Sequence, residues 1–236
     1  MNSPIKGSPI LFSGAMVRAI LKGRKKQTRR AVKRQPLEWL QQGFDPEFVA
    51  HPENQLCPYG QPGDRLWVRK SWQALQKWDA LAPRHVPEET DKVRYAEGAA
   101  RNSLWAWGKL RPSIFMPRWA SRILLEIVSV RVERLQDISE QDALAEGVAR
   151  DENYPTSDDA TCFVCLGDGV HAALGQNYGV TEIDCRHCDT AKKRFGILWE
   201  RINCPESWNV NPWVWVVEFK RWKGNGKPIL LRDYSG

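Results

Sequence analysis

The sequence contains no uncharged apolar run approaching the roughly 18 residues that a membrane-crossing helix needs, which rules out a membrane span. Its first apolar stretch, Pro9 to Val17, is short and broken by Pro9 and Gly14, so it does not read as the core of a secretory signal, and a cytosolic protein is expected. Cysteine is scarce, with six in 236 residues, and four of the six fall within 27 positions of one another. Acidic residues are missing altogether from the seventeen positions 18 to 34, where Arg18, Lys22, Arg24, Lys25, Lys26, Arg29, Arg30, Lys33 and Arg34 accumulate.

Apolar residues make up 42% and charged residues 27%, which excludes a chain disordered throughout and leaves enough material for one compact domain carrying an insert. The net charge of +7 is compatible with phosphate-bearing partners, and the acid-free run gives that charge a location. The competing reading of the run is a solvated basic face. Twelve Trp residues serve equally as core and as stacking platforms for bases.

Cys162 and Cys165, then Cys185 and Cys188 after nineteen residues, form two C-x2-C knuckles whose four thiolates can converge on one ion. Zinc is the preferred ion, with an iron–sulfur cluster as an alternative and disulfides or unrelated thiols as the reading without metal. His171 and His187 lie in the same segment, but four thiolates already close a tetrahedral site, so the metal is expected to be structural.

Along the chain, Val17, Ile20 and Leu21 predict a short helix ending at Gly23, followed by a strand through Thr28, Arg30 and Val32. Residues 36 to 61 read as loop with a short helix, and Pro62-Gly63 as a type II turn leading into a strand from Arg65 to Trp72. Residues 73 to 112 read as an excursion with a short strand at Lys92 to Ala96. Arg122 to Leu135 predicts a long bent strand with apolar residues on both faces and a bulge near Ser129. Ser139 opens a short capped helix that stops at Gly147. A second helix over Lys192 to Asn203 should bury Phe195, Leu198, Trp199 and Ile202, and Pro212 to Trp222 reads as a buried strand. The expected fold is α+β: a small β-barrel with flanking helices, formed by residues 1–150 and 192–222, with a zinc-ribbon-like insert at 151–191 and a mobile tail at 223–236.

Read residue by residue, the chain resembles the ASCH domain family of PUA-like barrels. Gly23, Lys25 and Arg30 stand in the family's N-terminal G-x-K-x-x-E-x-R signature, with Thr28 where most members have Glu. The small bacterial amidohydrolases that deacetylate N4-acetylcytidine share that Thr. Gly63-Asp64-Arg65-Leu66-Trp67-Val68 resembles the family's G-D-x-L-x-V strand, Val216 to Phe219 its closing strand, and Ile138 to Glu146 the helix that supplies the amidohydrolases' catalytic Glu. Arg111 to Ile114, Met116 to Arg122 and Asn211 to Val216 resemble a larger phage and prophage group.

The resemblance implies Lys25 as general base, Thr28 as nucleophile on an acyl carbon, and Glu146 as proton donor to the leaving amine. Neutrality of Lys25 would come from burial and from repulsion by Arg24, Lys26, Arg29 and Arg30. Glu146 sits in the last turn of its helix, against the negative end of the dipole, and should need a cationic partner. The remaining readings are a non-catalytic module binding a modified base, nucleotide, RNA or other single-stranded nucleic acid, and a ribonuclease. For these the candidate ligand-binding residues are Arg24, Arg29, Arg30, Trp67, Arg69, Trp72, Arg118 and Trp119. A role in virion assembly or as an interaction protein is a further reading.

Overall fold

The computed structural model describes residues 5–89, 92–95, 105–148, 162–165, 170–174 and 180–222. The expected tail at 223–236, and the whole segment 149–161 that leads to the first cysteine knuckle, lie outside the described residues. In chain order the elements are β1 (Gly7–Leu11), α1 (Gly14–Leu21), β2 (Gln27–Ala31), α2 (Gln35–Gln41), α3 (Pro46–Ala50), β3 (Arg65–Arg69), β4 (Trp72–Gln73), β5 (Arg94–Tyr95), β6 (Leu124–Arg134), α4 (Glu140–Ala145), β7 (Val170–Leu174), β8 (Val180–Asp184), α5 (Ala191–Ile202) and β9 (Trp213–Arg221). No helix among the described residues is long and apolar enough to cross a membrane.

The fold is mixed α and β. One five-stranded sheet runs β1-β3-β6-β9-β2, with β1 parallel to β3, β6 antiparallel to β3, and β2 antiparallel to β9. Among the described residues the sheet is mostly open, with β1 and β2 at its ends, and no closed barrel is seen. β1 itself escaped the sequence reading because Pro9 argues against a strand. At an edge the missing N–H removes no ladder bond that another strand needs.

By compactness the chain divides into two units, with divisions inside α1, β6 and β9 and a fourth between Leu56 and Cys57, ahead of β3. Unit 1 comprises Met1–Val17, Cys57–Ser129 and Phe219–Gly236, and unit 2 comprises Arg18–Leu56 and Val130–Glu218.

In unit 1 the Pro62-Gly63 turn is as the sequence predicts. Gly63 has φ +92°, and the Asp64 N–H donates to the Gln61 carbonyl at 2.9 Å. The strand that follows stops at Arg69, and Trp72 belongs to a separate two-stranded ribbon, β4 with β5. Leu66, Val68, Ile123, Leu125 and Ile127 are buried. Val128, 51% exposed, ends the run of β6 that is apolar on both faces. The excursion has a core of its own, Trp72, Ala74, Val86, Met116 and Ala120. Arg111 pins it by donating to the carbonyls of Leu81 and Trp78 at 3.0 and 2.8 Å while its guanidinium lies 5.6 Å from the Trp72 ring.

In unit 2, β9 buries Val214 to Val217 in succession, as a strand covered on both faces must. Residues 36 to 61 are more helical than expected, since Asp45 caps α3 by accepting from the Glu47 N–H. Helix α5 buries Phe195, Leu198 and Trp199, but Ile202, expected in the core, is 46% exposed because the helix ends there. Ser139 caps α4 by accepting from the Asp142 N–H.

Candidate active site and metal centre

All three candidate catalytic residues belong to unit 2. After α1 the chain hooks back, with the N–H groups of Arg24 and Lys25 both donating to the Ala19 carbonyl and that of Lys26 donating to Ala145 at the end of α4. The hook brings Lys25 against residue 146, 121 positions away in sequence. The Lys25 ammonium donates to Glu146 Oε2 at 2.6 Å and to the Glu146 carbonyl at 2.9 Å. Gly147, at φ +92°, makes this approach possible: a Cβ there would lie 3.0 Å from that of Ala19 and 3.1 Å from that of Lys25.

Glu146 therefore has the cationic partner that its position in the helix calls for, and it has two. Arg29 NH1 donates to Oε1 at 3.2 Å. The same guanidinium donates through Nε and NH2 to Glu133 at 3.0 and 2.6 Å and through NH2 to Asp142 at 3.2 Å. Arg131, beside it, pairs with Glu133, Asp142 and Glu218. The side chains of Lys25 and Arg29 are completely buried and that of Glu146 is 2% exposed.

Burial pushes the Lys25 amine below the ordinary lysine value. Glu146 pulls it back up, and Arg30 and Arg29 push it down. Burial is the largest of these effects, where the sequence had put the neighbouring cations alongside it. The neutral amine is thus brought closer to neutral pH by the fold.

Thr28 is buried in β2 between Gln27 and Arg29. Those neighbours both reach α4, Gln27 through a 2.8 Å bond to the Asp142 carbonyl, so strand alternation directs Thr28 to the other face. Lys25 and Thr28 do not share a helical face, and among the described residues the Thr28 hydroxyl makes no hydrogen bond.

The other candidate ligand-binding residues are distributed between the units. In unit 2, Arg24 and Arg30 are half-buried beside the committed Arg29. In unit 1, Trp72 is fully buried and meets Trp119 edge-on at 6.0 Å, while Trp67, 7% exposed, lies 4.6 Å beneath the Arg69 guanidinium. The half-buried Arg118 packs against Gly7. Trp72 is therefore core, and the half-buried Trp119 packs on it.

The four knuckle cysteines are brought together. All are buried, their sulfurs lie within 4.8 Å of one another, and the Cys162–Cys185 and Cys165–Cys188 pairs are 3.8 and 3.5 Å apart. A tetrahedron of sulfurs at zinc–sulfur distance has edges of about 3.8 Å, so the donor set fits a four-thiolate metal ion. All six cysteines of the chain are free of disulfides. The hairpin β7–β8 occupies the interval between the knuckles. His187 packs its ring on Phe163 at the surface, and the His171 side chain lies outside the described residues.

Burial and the neighbouring sulfurs raise the Cys188 thiol to about 12, so a metal ion would have to displace protons on binding. Helix α5 starts directly after Cys188. Its first N–H groups, of Ala191 and Lys192, donate to Glu140 of α4, and Arg194 donates to the carbonyls of Cys188 and Val148. This carboxylate cap and Arg194 tie the metal centre to α4, a link with no signal in the sequence because its partners are about fifty residues apart.

No family model, no curated protein and no solved structure matches the chain.

Proposed function

We propose that this chain is an ASCH-type, PUA-like protein that hydrolyses the amide of an N4-acylated cytosine-type base, with a structural zinc on Cys162, Cys165, Cys185 and Cys188. The observation that carries the reading is the Lys25–Glu146 pair: an amine and a carboxylate, both buried, joined at 2.6 Å, with the amine shifted down by burial. Such a pair shares one proton. It holds an amine and a carboxyl group side by side, the two kinds of group that can move protons in amide cleavage.

In this reading Lys25 is the base and Glu146 gives a proton to the departing amine. Thr28 is the nucleophile that the resemblance implies, its oxygen attacking the acyl carbon, and because its side chain lies on the face of β2 away from α4 the Thr28→Ala assay decides whether it takes this part. Water then cleaves the resulting ester. Arg29 keeps Glu146 in place from the opposite oxygen. The zinc takes no part in the chemistry, since four thiolates leave no position for water.

A chromatographic assay on a panel of N4-acylated and unmodified nucleosides tests this. Amide cleavage without added metal is expected, with a pH profile that rises below the ordinary lysine range. Thr28→Ala and Glu146→Gln should each remove most turnover while substrate still binds. Cleavage of RNA in place of acylated nucleosides would establish the ribonuclease instead, and tight binding of a base with neither reaction would leave a non-catalytic reader.

A further inference from the structure

We propose that unit 1 carries a surface for single-stranded nucleic acid, built on the β4–β5 ribbon and the segment around residues 105–107 that returns beside it. The proposal is independent of amide hydrolysis, because every residue it uses lies in unit 1 and none belongs to the Lys25–Glu146 site.

The first observation is where the positive charge sits. Among the described residues, unit 1 has 14 Lys and Arg against 5 Asp and Glu, whereas unit 2 has 16 against 15. The acid-free run that stands out in the sequence belongs to the balanced unit, and the surplus that would attract a polyanion belongs to the other.

The second is how the cations of the ribbon are arranged. Lys77 lies 4.6 Å over the Trp78 ring, Lys92 5.5 Å over Trp105, and Arg94 6.0 Å over Trp107. These pairs form one patch. The Gln76 N–H donates to the Ala106 carbonyl at 2.8 Å, Leu75 bridges Trp107, and Glu89 lies 3.8 Å from both lysines while accepting from the Trp78 indole at 3.4 Å. Glu89 sets one negative charge against three positive ones. Asp79, also nearby, already accepts the Lys109 N–H, and the exposed Glu88 precedes Glu89 in the chain.

Trp105 is 51% exposed and the Lys77 side chain 57% exposed, so the patch exposes both an indole and an ammonium to solvent. Alternating cations and indoles suit a chain whose phosphates and base faces alternate. The base faces are available only in a single strand, because a duplex stacks them internally.

The test is fluorescence anisotropy of the full chain with a labelled oligouridine of about 12 nucleotides and a duplex of the same length, between about 50 and 200 mM salt. Expected results are preference for the single strand, weakening as salt rises, a loss of about tenfold for Trp105→Ala, and a salt slope shallower by about 1.4 for the pair Lys77→Gln and Lys92→Gln. The triple variant Lys22→Gln, Lys26→Gln, Lys33→Gln in unit 2 should change affinity less than about twofold. No binding at the lowest salt would overturn the proposal, as would loss of binding in the unit 2 triple variant alone. Equal competition by polyglutamate with no effect of Trp105→Ala would also overturn it, and would point to an acidic protein as the partner.

Discussion

The two units of this chain manage positive charge in opposite ways. In unit 2 the buried cations pair with acids: Lys25 and Arg29 are fully buried and meet Glu146, Glu133 and Asp142, carboxylates contributed by β6, α4 and its C-cap. In unit 1 several cations lie on aromatic rings, Arg65 on Trp222 and Arg122 on Tyr95 at 4.2 and 4.3 Å among them, with few carboxylates to neutralise them. A buried cation must be compensated, because low dielectric makes an isolated charge far too costly. Unit 2 does this with carboxylates, whereas the buried Arg111 of unit 1 meets backbone carbonyls and the Trp72 ring, and its buried Lys70 lies 5.6 Å from the Tyr95 ring. A half-exposed guanidinium over an indole keeps its hydration and needs none. Unit 2 is thereby suited to hold a proton-transfer pair, and unit 1 to meet a polyanion.

The largest test of this contrast is metal removal. Metal analysis of protein purified without chelator should find about one zinc per chain. Its loss should remove several kcal/mol of local stability, given that structural zinc binds small modules with on the order of 10–16 kcal/mol. Hydrogen exchange should then show protection lost over residues 185–202, where α5 follows Cys188, while β3 in unit 1 keeps its own. Protein with no metal and four thiols that react at once would remove the metal centre from the account.

Breaking the buried pair comes next. Lys25→Met leaves Glu146 desolvated beside a single cation and should cost about 3–5 kcal/mol in urea unfolding, and Lys25→Met with Glu146→Leu should recover much of it. A loss below about 1 kcal/mol for the single variant would show that the pair is hydrated in solution. Arg29→Glu should be still more damaging, because it sets a fourth carboxylate among Glu133, Asp142 and Glu146.

In unit 1 the expected effects are smaller. Arg122→Gln removes a cation over the Tyr95 ring and should cost about 0.5–1 kcal/mol, read from the shift in thermal midpoint. The same variant sharpens a pH prediction. Burial raises the Tyr95 phenol to about 12, and Arg122 works against that rise, so Arg122→Gln should push ionisation higher still in an ultraviolet titration. Because the folded chain keeps this proton beyond the unfolded value of about 10, stability should be unaffected by Tyr95 below about pH 10 and should fall between about 10 and 12. Tyr95→Phe abolishes that component, along with the bond the phenol donates to the Ala120 carbonyl.

Much of the local structure is legible because its causes are local. The Pro62-Gly63 turn, the Ser139 cap, the helix that ends before Gly23 and the apolar run of β9 each depend on residues within one or two turns of each other. The cysteine spacing is legible for a similar reason, since two knuckles can close on one ion whatever surrounds them. Glu146 is picked out by resemblance alone, and the direction of its helix dipole gives its need for a cation.

What could not be read is whatever depends on distant partners. The acid-free run looks uniformly basic in sequence, yet two of its nine cations lie in the core and the acids that meet them come from more than a hundred residues away. By itself the sequence determined the composition of the site, the positions of the knuckles and most of the elements, because these follow from neighbouring residues. Only the tertiary structure decided which cations are buried and, among the described residues, which unit keeps the charge surplus and in what order the strands pair, because burial and pairing are set by segments that meet only when the chain has folded.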